Sequence, residues 1–221
     1  MTENIVIYGA GPFAKLMMYH FHHDSPYRVC AFCVDRPYWQ AEQFCDLPLL
    51  PSDTVTQAYP PSDHAMFVAI GYRVMRLRKQ MFLQAKNLGY RLINYVSARA
   101  NVRPDLRLGE NNVIQSSCDI EPFVTIGDNN VFWTGTIVGH DAIVGHHNYI
   151  SGGCGVGGNC VVGDLCFFGN NALMVNDLRI ADETYLVAGA IILRDSQPAS
   201  QYHGNPCKLI ARHAETGIII R

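Results

Sequence analysis

The stretch 138-VGHDAIVGHHNYISGG-153 gathers three histidines and one aspartate among four glycines. Two chemistries suit these residue types. Histidine takes up and returns a proton near neutral pH, because its unperturbed pKa is about 6.5, and Asp141 beside His140 is placed to fix its tautomer. Three imidazoles also match a ligand set that zinc accepts, so His140, His146 and His147 carry a second, metal-binding reading. A third reading has no chemistry in it: small residues punctuating a repetitive fold. The V-G-H triplet occurs twice at a spacing of six, and that spacing directs attention to the elements around it.

From Val102 onward the chain has a period of six. Val102, Leu108, Ile114, Ile120, Ile126, Phe132, Val138, Val144, Ile150, Val156, Val162, Phe168, Met174, Ile180, Leu186 and Ile192 are all large and apolar. With half of all residues counted as apolar, such an unbroken run arises by chance about once in 10⁵. Glycine follows several of these positions, as in Val138-Gly139 and Val144-Gly145, and a small residue often stands two before, as at Ala142, Cys154, Cys160 and Cys166. A six-residue unit of short strand and turn buries one aliphatic side chain inside a triangular prism, three units closing a coil. The residues between must point outward, and function is to be sought there. His140 is such a residue. Residues six apart lie on adjacent faces, so His140 and His146 diverge, and a shared metal would need bridging between subunits.

Ahead of the repeat, 4-NIVIYGAGPFAK-15 runs from an apolar strand through a glycine turn into a helix over Ala14 to His22. The run 28-RVCAFCVD-35 reads as a second strand ending at an acid, and 48-PLLPSDTV-55 with 59-YPPSD-63 as a Pro-rich connection. A third strand is expected at 65-AMFVAIG-71, a basic amphipathic helix over 73–89 with a glycine stop, and a last strand at 91-RLINYV-96. This β-α-β order predicts an α/β N-terminal Rossmann-like half domain over 1–97, followed by a β-helix over 98–221.

Composition narrows the function classes. A net charge of −2 with scattered Lys and Arg offers no basic stripe for nucleic acid. The amino terminus lacks the basic region of a signal peptide, and no segment reaches the roughly 20 apolar residues of a membrane span, so a cytoplasmic setting without membrane association is expected. Of the eight cysteines, Cys154, Cys160 and Cys166 fall six apart as small fillers of the repeat, and Cys30 and Cys33 lie in an apolar strand-like run without zinc-finger spacing, so the thiols read as reduced and mostly buried.

The unbroken hexad resembles the left-handed parallel β-helix of hexapeptide-repeat acyltransferases. With the G-x-G domain in front, H-D-x-x-[IV]-G at 140-HDAIVG-145 and 204-GNPCK-208, nearly the whole chain is similar to sugar acetyltransferases of the sialic acid O-acetyltransferase and bacillosamine-pathway N-acetyltransferase type. That family usually has alanine where Cys207 stands. The resemblance implies an acetyl-CoA-dependent N-acetyltransferase acting on a nucleotide-linked deoxyamino sugar for surface polysaccharide or glycan synthesis, with no metal. It makes His140 the general base, its tautomer fixed by an acid such as Asp141 or a neighbour, and gives the Gly158 N–H, one coil above, to the acetyl carbonyl. It implies coenzyme contacts around Asn170, Ala188 and the loop ending in Lys208, and a homotrimer with active sites between subunits. Tyr149, nine residues after His140, stands where the bacillosamine type tends to have a second histidine near the acceptor sugar.

In the first domain, the resemblance implies that the nucleotide of the sugar nucleotide is held at Gly9, Gly11 and Asp35, with Arg36 or Arg76 near phosphates and Gly71 allowing close approach. No covalent nucleophile is needed, since Cys154 falls at an inward position with nothing to make a thiolate. O-acetylation of a sugar or sialic acid is the near rival. A zinc enzyme of the gamma carbonic anhydrase kind and a binding scaffold are the unlike ones.

Overall fold

The computed structural model describes residues 3–220. The chain divides into two compact units, one formed by the chain through Gly71 together with Gln80–Tyr95, the other by Tyr72–Lys79 together with the chain from Val96 on. The short segment Tyr72–Lys79 thus lies with the repeat, inside the stretch expected to be first domain. It is tied there by its backbone: Met75 N–H donates to Ile218 O at 3.2 Å and Ile220 N–H to Arg73 O at 3.0 Å. No helix among the described residues is long and apolar enough to cross a membrane.

The first unit holds β1 (Glu3–Tyr8), α1 (Pro12–His23), β2 (Tyr27–Val34), β3 (Gln43–Phe44), β4 (Leu47–Pro51), α2 (Val55–Ala58) and β5 (Ala65–Val68), with the later turns of α3 (Met75–Asn87). Sheet order is β3-β4-β2-β1-β5, with β1 parallel to both β2 and β5. Ile5, Val6 and Ile7 are fully buried on both faces, which is why β1 reads as a continuous apolar run. The Pro-rich connection is in fact a strand: Leu49 and Leu50 pair with Phe32 and Cys33, and Pro51 sits at the last rung, after which Ser52 N–H reaches Val34 O at 2.8 Å. Proline costs little at a strand's end, where no further ladder donor is asked of it. The strand expected over 91–96 shrinks to a bridge between Leu92 and Met66 and the pair Tyr95–Val96.

The second unit is a left-handed parallel β-helix of two-residue strands on three sheets. The first sheet runs through Asp119–Ile120, Ile137–Val138, Gly155–Val156, Leu173–Met174 and Ile191–Ile192. The second holds Thr125–Ile126, Ile143–Val144, Val161–Val162 and Arg179–Ile180. The third holds Val131–Phe132, Tyr149–Ile150, Phe167–Phe168 and Tyr185–Leu186, and ends in the antiparallel hairpin Ser200–Gly204/Cys207–Arg212. Neighbouring strands pair eighteen residues apart, as Val138 with Val156 and Ile150 with Phe168.

One residue of each pair points in. Val138, Ile150, Phe168 and Leu186 are 0 % exposed, and Ala142, Cys160, Cys166 and Ala172 fill the corners between them. Each buried aliphatic contributes on the order of 1.5–3 kcal/mol. Corner residues adopt left-handed backbone, Asp141 at φ +58 and Asn159 at φ +57 among them, a conformation that Asn and Asp tolerate best after glycine.

Candidate functional site

His140 lies in a turn between the first and second sheets. Val138 and Ala142 anchor the turn inside the prism, and His140 with Asp141 are left outside, their side chains 53 % and 51 % exposed. The left-handed backbone at Asp141 turns its carboxylate back, so that Oδ2 lies 2.9 Å from His140 Nδ1. His140 N–H donates to Glu121 Oε2 at 2.7 Å, and its carbonyl accepts from Asn159 N–H at 2.9 Å. The hydrogen bond to Asp141 raises the imidazole pKa, helped by the negative charges of Asp141, Glu121 and Asp177. With Nδ1–H donated to the carboxylate, Nε2 carries the lone pair. That is the protonation pattern of a general base.

Gly158, one coil above, makes room for that ring. A Cβ there would meet His140 Nε2 at 2.9 Å, so any side chain would press on the imidazole. Its N–H, expected to meet an acyl oxygen, already donates to Asn176 Oδ1 at 3.1 Å. The amide of Asn176 therefore stands where that oxygen would come, and must turn aside for Gly158 to serve as an oxyanion donor.

The other histidines do not join His140. His146, at the next corner, accepts Asp128 N–H at Nδ1 at 2.9 Å. His147 is buried: its Nδ1 accepts from the Asn129 amide at 3.0 Å, and desolvation together with the nearby cations Arg78 and Lys79 lowers its pKa to about 4. Among the described residues no three His, Cys, Asp or Glu side chains come together in a way that would hold a metal.

Tyr149, Asn170 and Ala188 meet at a different corner, between the third and first sheets. They line a cavity of about 480 Å³ with Trp133, Phe167 and Tyr185. Tyr149 is 5 % exposed, stacks on Phe167 one coil on (centroids 5.6 Å apart, planes at 6°), and has the Arg78 guanidinium 5.6 Å from its ring. Burial pushes its phenol up to about 12, so Tyr149 stays neutral. Within one chain His140 and the Tyr149 cavity are thus separate. The outward column Tyr149, Phe167 and Tyr185 is aromatic throughout at eighteen-residue spacing, a signal present in the sequence but outside the His and acid residues that carry proton chemistry. Lys208 lies elsewhere again, on a second cavity of about 480 Å³ at the end of the repeat.

In the first unit only one of the three glycines is dictated by its surroundings. Gly9 has φ +128 and a Cβ there would lie 2.7 Å from Ala69 O, whereas Gly11 and Gly71 face open space. Asp35 follows directly on β2, and its Oδ1 accepts from Tyr8 Oη, from Ser52 Oγ at 2.8 Å and from Gln84 Nε2 at 2.9 Å. Burial, then the bond to Asp35, raises the Tyr8 pKa. These three supporting residues come from separate elements and left no mark in the local pattern.

The two arginines expected near phosphates each hold a carboxylate. Arg36 forms a two-pronged ion pair with Asp53, at 2.7 and 2.8 Å. Arg76 belongs to the second unit, where it grips Glu183 at 2.6 and 2.7 Å and the carbonyls of Ala214 and Glu215. A guanidinium whose fork is filled by a carboxylate has little left for a phosphate.

Residues 4–84 match the family described as PglD N-terminal domain. A search of curated protein sequences gives no match. Among solved structures, PerB from Caulobacter crescentus, in complex with CoA and GDP-perosamine, is 26 % identical, with a TM-score of 0.83 over 96 % of this chain and 99 % of that one. The acetyltransferase domain of PglB from Neisseria gonorrhoeae is 22 % identical with a TM-score of 0.84, covering 94 % of this chain and all (100 %) of the other. WeeI from Acinetobacter baumannii, at 19 % identity and a TM-score of 0.77 over 94 % and 100 % of the two chains, shares the same fold. The N-terminal part of the chain thus matches the PglD N-terminal domain, and the chain as a whole is similar in fold, nearly end to end, to PerB.

Proposed function

We propose that this protein is a cytoplasmic acyltransferase that moves the acetyl group of acetyl-CoA to the amino group of a nucleotide-linked deoxyamino sugar, a step in surface polysaccharide or glycan synthesis. The observation that carries the reading is the exposed His140, oriented through Nδ1 by Asp141 and overlying a glycine that leaves its Nε2 accessible. Support for the substrates comes from PerB, whose structure holds CoA and GDP-perosamine, and from the PglB domain, whose structure holds acetyl coenzyme A.

The amine nitrogen attacks the acetyl carbonyl while Nε2 of His140 takes its proton. The carbon–sulfur bond then breaks, and the imidazolium returns the proton to the departing thiolate. Gly158 N–H serves the oxyanion once Asn176 gives way. The acetyl group passes directly between substrates, without a cysteine: Cys154 is buried against the carbonyl oxygen of Gly169, and desolvation pushes its thiol up to about 11. Tyr149, Asn170 and Ala188 contribute from the aromatic cavity. Because that cavity and His140 occupy different corners of one prism, a complete site needs a second copy of the chain, and the working form is a homotrimer with active sites between subunits. In the first unit Gly9, Gly11, Asp35 and Gly71 receive the nucleotide, Asp35 being held for the purpose by Tyr8, Ser52 and Gln84.

The test is release of free thiol from acetyl-CoA in the presence of UDP-, dTDP- or GDP-linked amino sugars, beside matched hydroxyl sugars. Release with one amino sugar alone is expected. Release only with hydroxyl sugars would make the enzyme an O-acetyltransferase.

A further inference from the structure

The run 152-GGCGVGG-158 places two adjacent glycines in the turn above His140, and each makes room for a different side chain. A Cβ on Gly157 would lie 2.6 Å from both the backbone nitrogen and Oδ1 of Asn176, one coil further on. A Cβ on Gly158 would meet the His140 ring, one coil back. Carboxamide and imidazole therefore both crowd the Gly157–Gly158 peptide, whose N–H donates to Asn176 Oδ1 at 3.1 Å. Asn176 is exposed, and the backbone on either side of it is fixed. Met174 is buried inside the prism, and Asp177, in left-handed backbone at φ +63, donates its N–H to Gly158 O at 3.0 Å.

The edge between the second and third sheets shows the same upward bond with different chemistry. There Glu110, His146 and Asp164 give their N–H groups to the carboxylates of Asp128, Asp164 and Asp182, each eighteen residues on. Beside His140 the acceptor eighteen residues on from Gly158 is a neutral amide. A carboxylate at that place would set a negative charge against the oxygen that becomes negative in acyl transfer, and would hold the N–H through a stronger, charge-assisted bond.

We propose that Asn176 is a positioning residue that caps the oxyanion donor: its Oδ1 keeps the Gly158 N–H from the neutral thioester carbonyl and yields it to the charged oxygen of the tetrahedral intermediate. The inference rests on the acyltransferase reading above, with Gly158 as its oxyanion donor. Amide and thioester oxygens are both neutral acceptors, so their exchange on one N–H gains little. An oxyanion makes a bond about twice as strong and displaces the amide. The cap thus removes the advantage that the acetyl oxygen would have in the ground state. Binding of that kind lowers KM without raising kcat, so withholding it leaves the chemical step unharmed.

The experiment measures acetyl-CoA and CoA binding by calorimetry for the wild type, Asn176→Ala and Asn176→Asp. It adds turnover with the accepted amino sugar and exchange of the Gly158 amide hydrogen by NMR in the free proteins. In Asn176→Ala that amide should exchange faster. Acetyl-CoA should bind about 2- to 10-fold more tightly, the worth of one neutral hydrogen bond, with CoA affinity unchanged. KM for acetyl-CoA should fall by the same factor while kcat holds. Aspartate fits the position, as Asp164 and Asp182 do on the next edge. Asn176→Asp should therefore fold, slow the exchange of the Gly158 amide and lower kcat by about 10-fold. An unchanged ratio of acetyl-CoA to CoA affinity in Asn176→Ala, or an Asn176→Asp enzyme as fast as the wild type, would overturn the cap. Failure of the wild type to bind either acetyl-CoA or CoA would defeat the acyltransferase reading, and the cap as a device of acyl transfer with it.

Discussion

At the scale of single residues, the decisive feature is an imidazole whose two nitrogens have different work. Asp141 holds Nδ1 and raises the pKa, while Nε2 looks over Gly158. A base must be neutral to act, so the rate should fall as pH drops through that raised pKa. Removing the carboxylate in Asp141→Asn should move the acid limb of the kcat/KM profile to lower pH and reduce the plateau by roughly 10- to 100-fold, less than loss of the base itself. An acid limb that stays in place would mean that Asp141 does not tune His140. Both residues were legible in the sequence, because the hexad phase shows which turn positions face outward. Glu121 and Asn176 were not, since their contacts to His140 N–H and Gly158 N–H join different coils and depend on rotamers that periodicity does not specify. The partners of the two arginines were hidden for a related reason: charge is visible in a sequence, but the carboxylate that pairs with it is not.

At the scale of elements, the hexad predicted the inward residues well, because one aliphatic per strand is the only way such a coil acquires a core. Phe168 is 0 % exposed and stacked in register between Ile150 and Leu186. Phe168→Ala should therefore cost about 3–5 kcal/mol, read as a lowered midpoint in urea. The corner ladders were legible only in retrospect. Asn111 donates to Asn129 and Asn129 to His147, a column eighteen residues apart that buries a neutral imidazole.

The pH consequence follows from the two states of His147. Unfolded, it binds a proton below about pH 6.5; folded, its pKa is about 4. The unfolded state is thus favoured progressively as pH falls from about 6.5 toward 4. Between pH 7 and 4.5 this one group should remove about 2–3 kcal/mol of stability. His147→Asn, which continues the asparagine column, should lose less over the same interval by that amount. Equal losses in variant and wild type would show that another group drives the acid sensitivity.

At the scale of the whole molecule, the change of period near residue 100 marked two architectures correctly, an α/β sheet and a β-helix. It could not show that Tyr72–Lys79 belongs with the repeat, because that assignment is made by Met75, Arg76 and Ile220 across long stretches of chain. In the proposed scheme, the separation of His140 from the Tyr149 cavity makes oligomerisation part of the chemistry. Light scattering should give a homotrimer, and a monodisperse monomer with full activity would refute the shared site. The most direct test of direct transfer by a histidine base is turnover of His140→Ala with acetyl-CoA and the accepted nucleotide amino sugar, with CoA affinity measured on the same preparation. A loss of about 10²–10⁴ in kcat with CoA affinity retained is the predicted result; an unchanged rate would remove His140 from the mechanism.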